Sequence, residues 1–528
     1  MTGETRKDTK RIAIIGAGIG GLSAGLRLAA AGQDVVILEQ HAQVGGKMRT
    51  LPTDAGPVDA GPTVMTMRPV FEDLFSAAGE KLSDHVGLTR QHILARHWWT
   101  DGSCLDLFSD PGASAQAIAK LSGETDSEAF LRFSEQTRSL FEAFEAPMMQ
   151  TAEPDQIALA LQVMRQPALI PAMAPLRSLA GKLARQFTDP RLRQLFGRYA
   201  TYVGGSPYMS PALLGLIWQA ECAGVWTVSG GMHRLAEAIA KLIQTRGGEI
   251  HLGTSVRRVE FQGGKIRGVA LEDGRRVAAD IVLFNGDPRA LTEGLIGDKL
   301  TAAVPKSAVE PRSLSAYVWS FAARASGVPL VHHNVFFGDT PKGEFDDIAK
   351  GGMPRDPTLY VCAQDREDDA QGQDGPERFE IIMNAPPLPE DPPEKEFETC
   401  HRRTFRRLAQ MGLHFDPPPG ETALSTPATF NRLFPGSAGS LYGRSPHGLT
   451  AALKRPTART KIKGLYLVGG GAHPGAGIPM ATLSAKHAAE AILKDLTSTS
   501  PSRQTATRGG ISTGSATTVP VRSRSSAS

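Results

Sequence analysis

Three glycines and one acid near the amino terminus have the types and spacing of a dinucleotide-binding site. Gly16, Gly18 and Gly21 form a G-x-G-x-x-G pattern between a short apolar run and an Ala/Leu-rich segment. Glycine at these positions permits a tight turn, close approach of the backbone to a pyrophosphate, and close packing of a helix on a strand. Glu39 follows 18 residues after Gly21, where a carboxylate accepts hydrogen bonds from ribose hydroxyls. Because the acid disfavours a 2′-phosphate, NADP is not expected.

A second glycine turn follows this acid within a few residues. Gly45 and Gly46 precede Lys47, Met48 and Arg49. A glycine turn and a cation beside a pyrophosphate suit a larger dinucleotide that lies extended through the protein, as FAD does. The segment resembles the GG-R-x-x-[ST] element of amine oxidase and carotenoid desaturase flavoproteins, with lysine in place of the usual arginine. The lysine keeps the charge but loses the bidentate geometry of a guanidinium.

A third glycine-rich loop lies near the carboxyl terminus. It joins a predicted strand at 465–468 to a predicted helix at 480–493. In flavoproteins of this type a late strand returns to the amino-terminal sheet, and the helix start directs its amides at the flavin, where the helix dipole stabilises negative charge. Proline suits the first helical turn. We therefore expect cofactor contacts from Gly469, Ile478, Pro479 and Met480.

The segments that position these loops alternate between strand and helix. Apolar runs at 12–15 and 35–38 predict buried parallel strands around a helix at 22–31. Residues 71–220 have a largely helical pattern, and Gly263-Gly264 and Asp273-Gly274 predict hairpin turns. The predicted fold class is α/β, with a Rossmann-type, glutathione-reductase-like FAD-binding domain, a mixed-sheet substrate domain and a helical membrane-facing subdomain. The predicted division is FAD-binding parts at 10–70, 226–300 and 456–495, a helical subdomain at 71–225, a substrate domain at 301–455 and a disordered tail at 496–528.

Composition excludes several classes of protein. The 528 residues are 41% hydrophobic and 21% charged, which is typical of a globular chain. The net charge of +4 equals the number of tail arginines, so a nucleic-acid partner is not expected; these are Arg503, Arg508, Arg522 and Arg524. The start of the chain lacks the apolar stretch of a signal peptide, and no uncharged apolar run approaches the about 20 residues that span a bilayer. The cysteines are scattered without a CxxC pair, which indicates a reducing location and neither a disulfide framework nor a metal site; they are Cys104, Cys222, Cys362 and Cys400.

Together, these motifs resemble the bacterial-type phytoene desaturase family of carotenoid-oxidising flavoproteins. The likeness extends through VDAGPTVMT at 58–66, a middle stretch from YVGGSPYMS to GMHRLAEAI, and LYLVGGGAHPGAGIPM near the end. Within the family, GGKMR and PGAGIPMATLSAKHAAEAI look most like the hydroxyneurosporene (methoxyneurosporene) desaturase branch. That branch inserts the C3–C4 double bond into 1-hydroxy- or 1-methoxy-carotenoids for spheroidene and spirilloxanthin synthesis. The resemblance implies FAD contacts at Gly16, Gly18, Gly21, Glu39, Gly46 and Lys47, and at Val256 beside the adenine.

The same resemblance leaves part of the chemistry open. Where amine oxidases carry an acid after the glycine of the last strand, this chain has Gly470, so the expected ribityl contact must come from elsewhere. Desaturation removes a hydride and a proton, and no side chain accepts hydride. We recover no general base and assign no catalytic residue, since His473 and His233 fit structural roles better.

A basic, apolar segment at 158–180 predicts where the chain meets its surroundings. It either rests on an anionic membrane surface or forms a buried helical subdomain with a solvated basic face, and the resemblance favours the membrane. The expected location is the cytoplasmic side of the bacterial membrane, with a hydrophobic carotenoid as substrate. Three other interpretations remain: a phytoene desaturase, an amine oxidase with an aromatic cage, and a prenyl-binding escort protein that does not use flavin.

Overall fold

The computed structural model describes residues 9–366, 375–387 and 395–499. Within these ranges the strands are β1 Arg11–Ile15, β2 Asp34–Leu38, β3 Thr50–Leu51, β4 Val58–Asp59, β5 Leu88–Arg90, β6 Ile93–Trp98, β7 Cys104–Phe108, β8 Trp226–Val228, β9 Glu249–His251, β10 Val256–Gln262, β11 Lys265–Leu271, β12 Arg276–Ala278, β13 Ile281–Phe284, β14 Ser315–Gly327, β15 His333–Phe336, β16 Leu359–Ala363, β17 Glu377–Ala385, β18 Leu413–Asp416, β19 Leu424–Ser425 and β20 Leu465–Leu467.

The same ranges contain α-helices on both sides of the sheets. They are α1 Ile19–Ala30, α2 Arg68–Ala77, α3 Pro111–Ser122, α4 Glu124–Phe144, α5 Gln156–Arg165, α6 Leu169–Met173, α7 Leu179–Gln186, α8 Pro190–Gly197, α9 Ile217–Cys222, α10 His233–Thr245, α11 Arg289–Thr292, α12 Pro341–Ala349, α13 Glu396–Gln410, α14 Pro427–Leu433 and α15 Ile478–Thr499.

A five-stranded parallel sheet forms the dinucleotide-binding part of the molecule. Its strand order is β20-β13-β1-β2-β9, and every neighbouring pair runs parallel. The central strands are continuous apolar runs because both of their faces are covered. Helices α1, α10 and α15 pack on one face, and α1 contacts α15 from the opposite end of the chain. The predicted βαβ unit and the late return of the chain are confirmed.

Two hairpin turns lie where the glycine pairs predict them. Gly263 and Gly264 connect β10 to β11 with φ angles of 58° and 75°, which favour glycine at both positions. Asp273-Gly274 connects β11 to β12, which completes a three-stranded antiparallel sheet beside the parallel one.

The substrate domain is built on a mixed sheet, as predicted. Its order is β18-β14-β17-β16-β15-β6-β7, with β19 also paired to β14, and β15 runs parallel to β6. Strands β5 to β7 come from a segment that we expected to be largely helical, so that expectation is wrong for residues 88–108. The reason is tertiary: β6 pairs with β15 more than 200 residues later, and no local pattern contains that partner.

A helical layer covers one end of this sheet, in the region predicted to be helical. Its core is a cluster of stacked and edge-on aromatic rings, among them Phe130, Phe133, Phe196, Tyr199 and Trp218. In the described ranges, no helix combines the length and the apolar character that crossing a bilayer requires. Helix α15 continues four residues into the segment predicted as a disordered tail, and the rest of that tail lies outside the described residues.

Candidate flavin site

The glycine loops from the two ends of the chain lie against each other. A Cβ added to Gly20 would lie 2.7 Å from the Cα of Gly469, and one added to Gly46 would lie 2.9 Å from the Cα of Gly18. Asn285 joins the loops, because its amide nitrogen donates to the carbonyl oxygen of Gly16 at 3.1 Å. The fold therefore brings the first, second and third glycine elements to one place.

Glu39 lies at the end of β2 and contacts the first glycine loop. One carboxylate oxygen accepts a hydrogen bond from the backbone N–H of Ala17 at 2.6 Å, and the other accepts from the N–H of His41 at 2.9 Å. The side chain is buried, yet it reaches the wall of a cavity that also contains Val256 and Thr254. Glu39 and Val256, predicted to hold ribose and adenine, therefore share one end of that cavity.

This cavity has a volume of about 650 Å³, and most of the predicted cofactor-binding residues line it. Those on its wall are Gly16, Gly18, Glu39, Gly46, Lys47, Val256, Gly469 and Ile478. Gly21 is not on the wall, because a Cβ there would lie 2.2 Å from the carbonyl oxygen of Gly16, so this glycine lets α1 pack on β1. Pro479 and Met480 occupy the first turn of α15 without lining the cavity, whereas Gly477 and Ala481 beside them do line it.

Lys47 places its ammonium group between the cavity and the substrate domain. Its Nζ donates to the carbonyl oxygen of Leu441 at 2.6 Å and lies 5.5 Å from the centre of the Phe434 ring. Burial lowers the pKa of Lys47 to about 8, and the Asp287 carboxylate partly opposes this. An ammonium group has three donors, so donors remain for an anionic ligand.

We expect the variant Lys47→Met to change stability and cofactor binding in opposite directions. The folded protein without FAD holds the Lys47 proton less tightly than the unfolded chain, so the charged side chain costs stability below pH 8 and this cost disappears as pH rises towards 10.5. Urea unfolding of FAD-free protein at pH 7 should therefore show Lys47→Met to be more stable by about 1–2 kcal/mol. FAD affinity should fall about tenfold, because the attraction to a pyrophosphate is lost. Equal stability of both proteins at pH 7 would contradict the argument.

Sequence reasoning missed a polar group at the end of β13. Asn285, Gly286 and Asp287 follow this apolar strand directly and line the cavity. Asp287 forms a buried ion pair with Arg312, whose guanidinium also donates to the carbonyl oxygen of Ser437. The sequence contained a signal for this group, namely polar residues directly after an apolar strand. Polar residues at the carboxyl end of a parallel strand lie at the ligand-binding edge of such a sheet.

Arg455 stabilises the carboxyl-terminal glycine loop. This is the loop in which the chain has Gly470 at the position where amine oxidases carry an acid. Its guanidinium donates to the carbonyl oxygens of Gly470 at 2.9 Å, Tyr442 at 2.8 Å and Arg444 at 2.8 Å. Burial lowers the pKa of Arg455 to about 10. An arginine from outside the motif thus fixes the loop that carries Gly470.

Both histidines considered from the sequence bond to backbone carbonyls. His473 Nε2 lies 2.9 Å from the carbonyl oxygen of Thr151, and the His473 ring stacks on His487. His233 Nδ1 lies 2.7 Å from the carbonyl oxygen of Met48. Neither side chain lines the cavity, so the geometry fits the structural roles expected for them.

Three side chains of metal-ligating type meet inside the substrate domain. Ligand atoms of His332, His333 and Cys362 lie within 4.8 Å of one another. Each also has a protein partner: His332 contacts the carbonyl oxygen of Arg366 and the thiol of Cys362, and His333 contacts the hydroxyl of Tyr360. Cysteine spacing could not reveal this cluster, because the pairing of β15 with β16 assembles it. These hydrogen bonds hold the three side chains together, and His333 Nε2 is buried without a hydrogen-bond partner among the described residues.

Comparison with known proteins identifies the family of this chain. The model of the family "Flavin containing amine oxidoreductase" matches residues 19–493, and the chain belongs to this family. Among curated proteins, the chain is 55% identical to a hydroxyneurosporene desaturase of Cereibacter sphaeroides, over 94% of this chain and 100% of that protein. It is 48% identical to the hydroxyneurosporene desaturase of Rhodobacter capsulatus, over 92% of this chain and 98% of that protein. The resemblance to carotenoid desaturases is thereby confirmed.

Solved structures support the fold. An oxidoreductase from Methanosarcina mazei has a TM-score of 0.58 and 16% identity, covering 92% of this chain and 100% of that one. A fatty acid isomerase from P. acnes that produces CLA has a TM-score of 0.56 and 13% identity, covering 93% and 99%. Putrescine oxidase bound to putrescine has a TM-score of 0.54 and 15% identity, covering 92% and 99%.

The family and the fold establish an FAD-dependent oxidoreductase, as expected. The glycine cradle fits this cofactor, because a Cβ at Gly20, Gly46 or Gly469 would collide with the facing loop or with Asn285, and one at Gly18 would lie only 3.0 Å from the amide nitrogen of Asn285. The residues that contact FAD remain a proposal: Gly16, Gly18, Glu39, Gly46, Lys47, Val256, Gly469 and Ile478 from the cavity wall, with Gly21, Pro479 and Met480 supporting them from behind.

Proposed function

We propose that this protein is an FAD-dependent carotenoid desaturase that inserts the C3–C4 double bond into 1-hydroxy- or 1-methoxy-carotenoids. The observation that carries the proposal is the shared cavity, in which glycine loops for a dinucleotide meet an apolar wall of the substrate sheet. The names of the two relatives that are 55% and 48% identical supply the substrate class.

The wall opposite the glycine loops suits a polyene. Ala316 and Val318 alternate along β14, and Ile382 lies opposite Val318 on β17, so these apolar side chains share one face of the sheet. Phe430 and Phe434 from α14 and its end add apolar surface. Such a wall holds a hydrocarbon in place and keeps water from the reacting carbons.

The division of labour between cofactor and chain follows from the chemistry. FAD, when bound, supplies the hydride acceptor that no side chain can provide. The chain contributes Lys47 and the amino-terminal end of α15, two positive groups that stabilise negative charge in the cavity. Arg455 and Asn285 hold the loops that orient the cofactor.

The proposal is tested by product identification. Purified protein loaded with FAD is incubated in liposomes with hydroxyneurosporene and, separately, with phytoene, and the products are separated by chromatography and identified by absorption spectrum and mass. We expect loss of two mass units from hydroxyneurosporene and no change in phytoene. Conversion of phytoene alone would make the protein a phytoene desaturase. Failure to bind FAD would favour the escort-protein interpretation.

We propose that residues 156–177 rest on the cytoplasmic surface of the membrane. Side chains on α5, α6 and the following turn point apolar groups to solvent, with Leu176 exposed by 98% and Ile157 by 72%. Arg165, Arg177 and Arg185 are exposed around them. The basic residues that follow this segment, apart from Arg185, bond to other groups of the fold: Lys182 donates to the carbonyl oxygen of Ala172, Arg193 to that of Phe187, Arg191 to the Asp189 carboxylate, and Arg198 contacts Tyr202. Exposed apolar groups ringed by arginines suit an anionic lipid surface.

We expect the double variant Ile157→Asp/Leu176→Asp to lose affinity for vesicles. Each apolar side chain removed from a lipid interface forfeits up to about 1.5–3 kcal/mol, so co-sedimentation with phosphatidylglycerol vesicles should fall by at least about tenfold. Leu252→Asp is the matched control, because Leu252 is also exposed but lies after β9, on the dinucleotide-binding sheet. Unchanged vesicle binding of the double variant would refute this membrane surface.

A further inference from the structure

One buried acid faces the cavity without a side-chain partner. Glu380 on β17 has no solvent-exposed surface, and within the described part of the chain neither of its carboxyl oxygens makes a hydrogen bond of ordinary geometry, although the backbone N–H of Gly61 lies near the carboxyl group. An unpartnered buried carboxyl group is costly, so such groups occur where a ligand completes their hydrogen bonds. Nothing in the residues that hold the cofactor accounts for Glu380.

The sheet register directs Glu380 to the same face as the apolar wall. Glu380 and Ile382 are two residues apart on β17, and both line the cavity. The residue opposite Glu380 on β14 is Ser320, whose buried hydroxyl also has no partner among the described residues. Glu380 therefore adds one polar side chain to the apolar face that Val318 and Ile382 present to the cavity.

Burial favours the protonated form of Glu380. Burial raises the pKa of the Glu380 carboxyl well above its usual value, the Asp59 carboxylate raises this pKa further, and Arg49 opposes both. A neutral carboxyl group donates one hydrogen bond and accepts others.

The substrate class of the proposed function requires a polar contact at this depth. In a 1-hydroxy-carotenoid the oxygen on C1 is three bonds from C3, so bonds of about 1.5 Å keep it within about 4 Å of C3, the nearer carbon of the pair that is oxidised. The oxygen must therefore lie in the reaction chamber, beside the apolar side chains of β14 and β17. Without a partner there, burial of that hydroxyl would oppose binding.

Resting on the proposed function, we propose that Glu380 binds the C1 oxygen of the substrate and makes the protein selective for 1-hydroxy- and 1-methoxy-carotenoids. The protonated Glu380 carboxyl donates a hydrogen bond to a hydroxyl or an ether oxygen alike, so one chamber suits both substrates. It also accepts from the hydroxyl when that group is present. Glu380 is a specificity-determining residue in this proposal and takes no part in hydride or proton removal.

The test compares two substrates in each of three proteins. The substrates are hydroxyneurosporene and its analogue without the 1-hydroxyl group, and the proteins are wild type, Glu380→Met and Glu380→Gln. We expect the ratio of kcat/KM for the two substrates to fall about tenfold to hundredfold in Glu380→Met, which cannot hydrogen-bond, and to change less than about threefold in Glu380→Gln. FAD content and melting temperature of each protein show whether it is folded.

A second buried acid provides the matched control. Glu344 is also buried in the substrate domain, and burial raises the pKa of Glu344 to about 7, but its carboxylate bonds to Asn384 and Thr358 and does not line the flavin cavity. Glu344→Met should leave the substrate ratio unchanged. An unchanged ratio in Glu380→Met, or an equal drop in Glu344→Met, would overturn the assignment.

A binding measurement separates this proposal from the proposed function. Quenching of protein fluorescence gives the dissociation constant of each carotenoid without turnover. Wild type that turns over neither substrate would refute the desaturase function, and the Glu380 proposal is then decided by binding alone. Preference of wild type for the hydroxylated carotenoid, lost in Glu380→Met, supports it. Equal binding of both carotenoids by wild type overturns it.

Discussion

The variant Gly20→Val should yield a folded protein that is nearly free of FAD. A Cβ at position 20 would lie 2.7 Å from the Cα of Gly469 and 2.7 Å from Oδ1 of Asn285. The first of these contacts is with backbone, which cannot rotate away, so valine must push the two glycine loops apart. Overpacking of this kind costs up to about 3 kcal/mol, which corresponds to a loss of FAD affinity of about a hundredfold.

The measurement is the flavin absorbance of the purified protein, followed by titration of the FAD-free form with FAD. Ala30→Val is the matched control, because Ala30 is exposed at the end of the same helix and should retain full flavin content. Circular dichroism tests whether the sheet remains intact. Wild-type flavin content in Gly20→Val would mean that the glycine loops carrying Gly20 and Gly469 do not bind one FAD molecule between them.

The variant Arg312→Met should destabilise the protein by about 3–5 kcal/mol, because it leaves the carboxylate of Asp287 buried without its cation. The side chains of this ion pair are only 6% and 8% exposed, and Asp287 lines the cavity. Arg312 also donates to the carbonyl oxygens of Val309 and Ser437, which would lose a partner. The loss should appear in urea unfolding of the FAD-free protein at pH 7.

An exposed ion pair gives the comparison for this prediction. Arg275 and Asp273 lie 2.7 Å apart in a hairpin turn, with side chains that are 67% and 50% exposed. Water screens such a pair, so Arg275→Met should leave the stability nearly unchanged. A similarly small effect of Arg312→Met would show that the Asp287 carboxylate can stay buried without its ion-pair partner, contrary to our argument.

Local patterns were sufficient where a residue's role depends on its immediate neighbours. The first glycine element and Glu39 could be recognised because turn, helix start and strand end lie within about 25 residues, the span of a single βα unit. The hairpin turn at Gly263-Gly264 could likewise be predicted from the sequence, since both residues of such a turn require positive φ. Pro479 fits a first helical turn, but only the fold shows that Pro479 lies off the cavity wall and that Ala481 reaches it.

Other parts of the site depend on residues far apart in the chain. Strand β6 became predictable only with β15 as its partner, and the helical pattern around it was misleading. Asn285 and Arg455 hold the two glycine loops although neither belongs to a glycine motif. Of the basic residues between 165 and 198, the sequence could not tell that Lys182 is buried while Arg177 is exposed.

The sequence by itself determined the cofactor class and the family, because the glycine spacing, the acid and the loop–helix junctions are requirements of the backbone around a dinucleotide. Only the tertiary structure decided that Glu380 and the apolar residues of β14 and β17 face the same chamber. The physical reason is that a strand of alternating side chains has two faces, and which face meets the cofactor is set by packing against distant segments rather than by the strand itself.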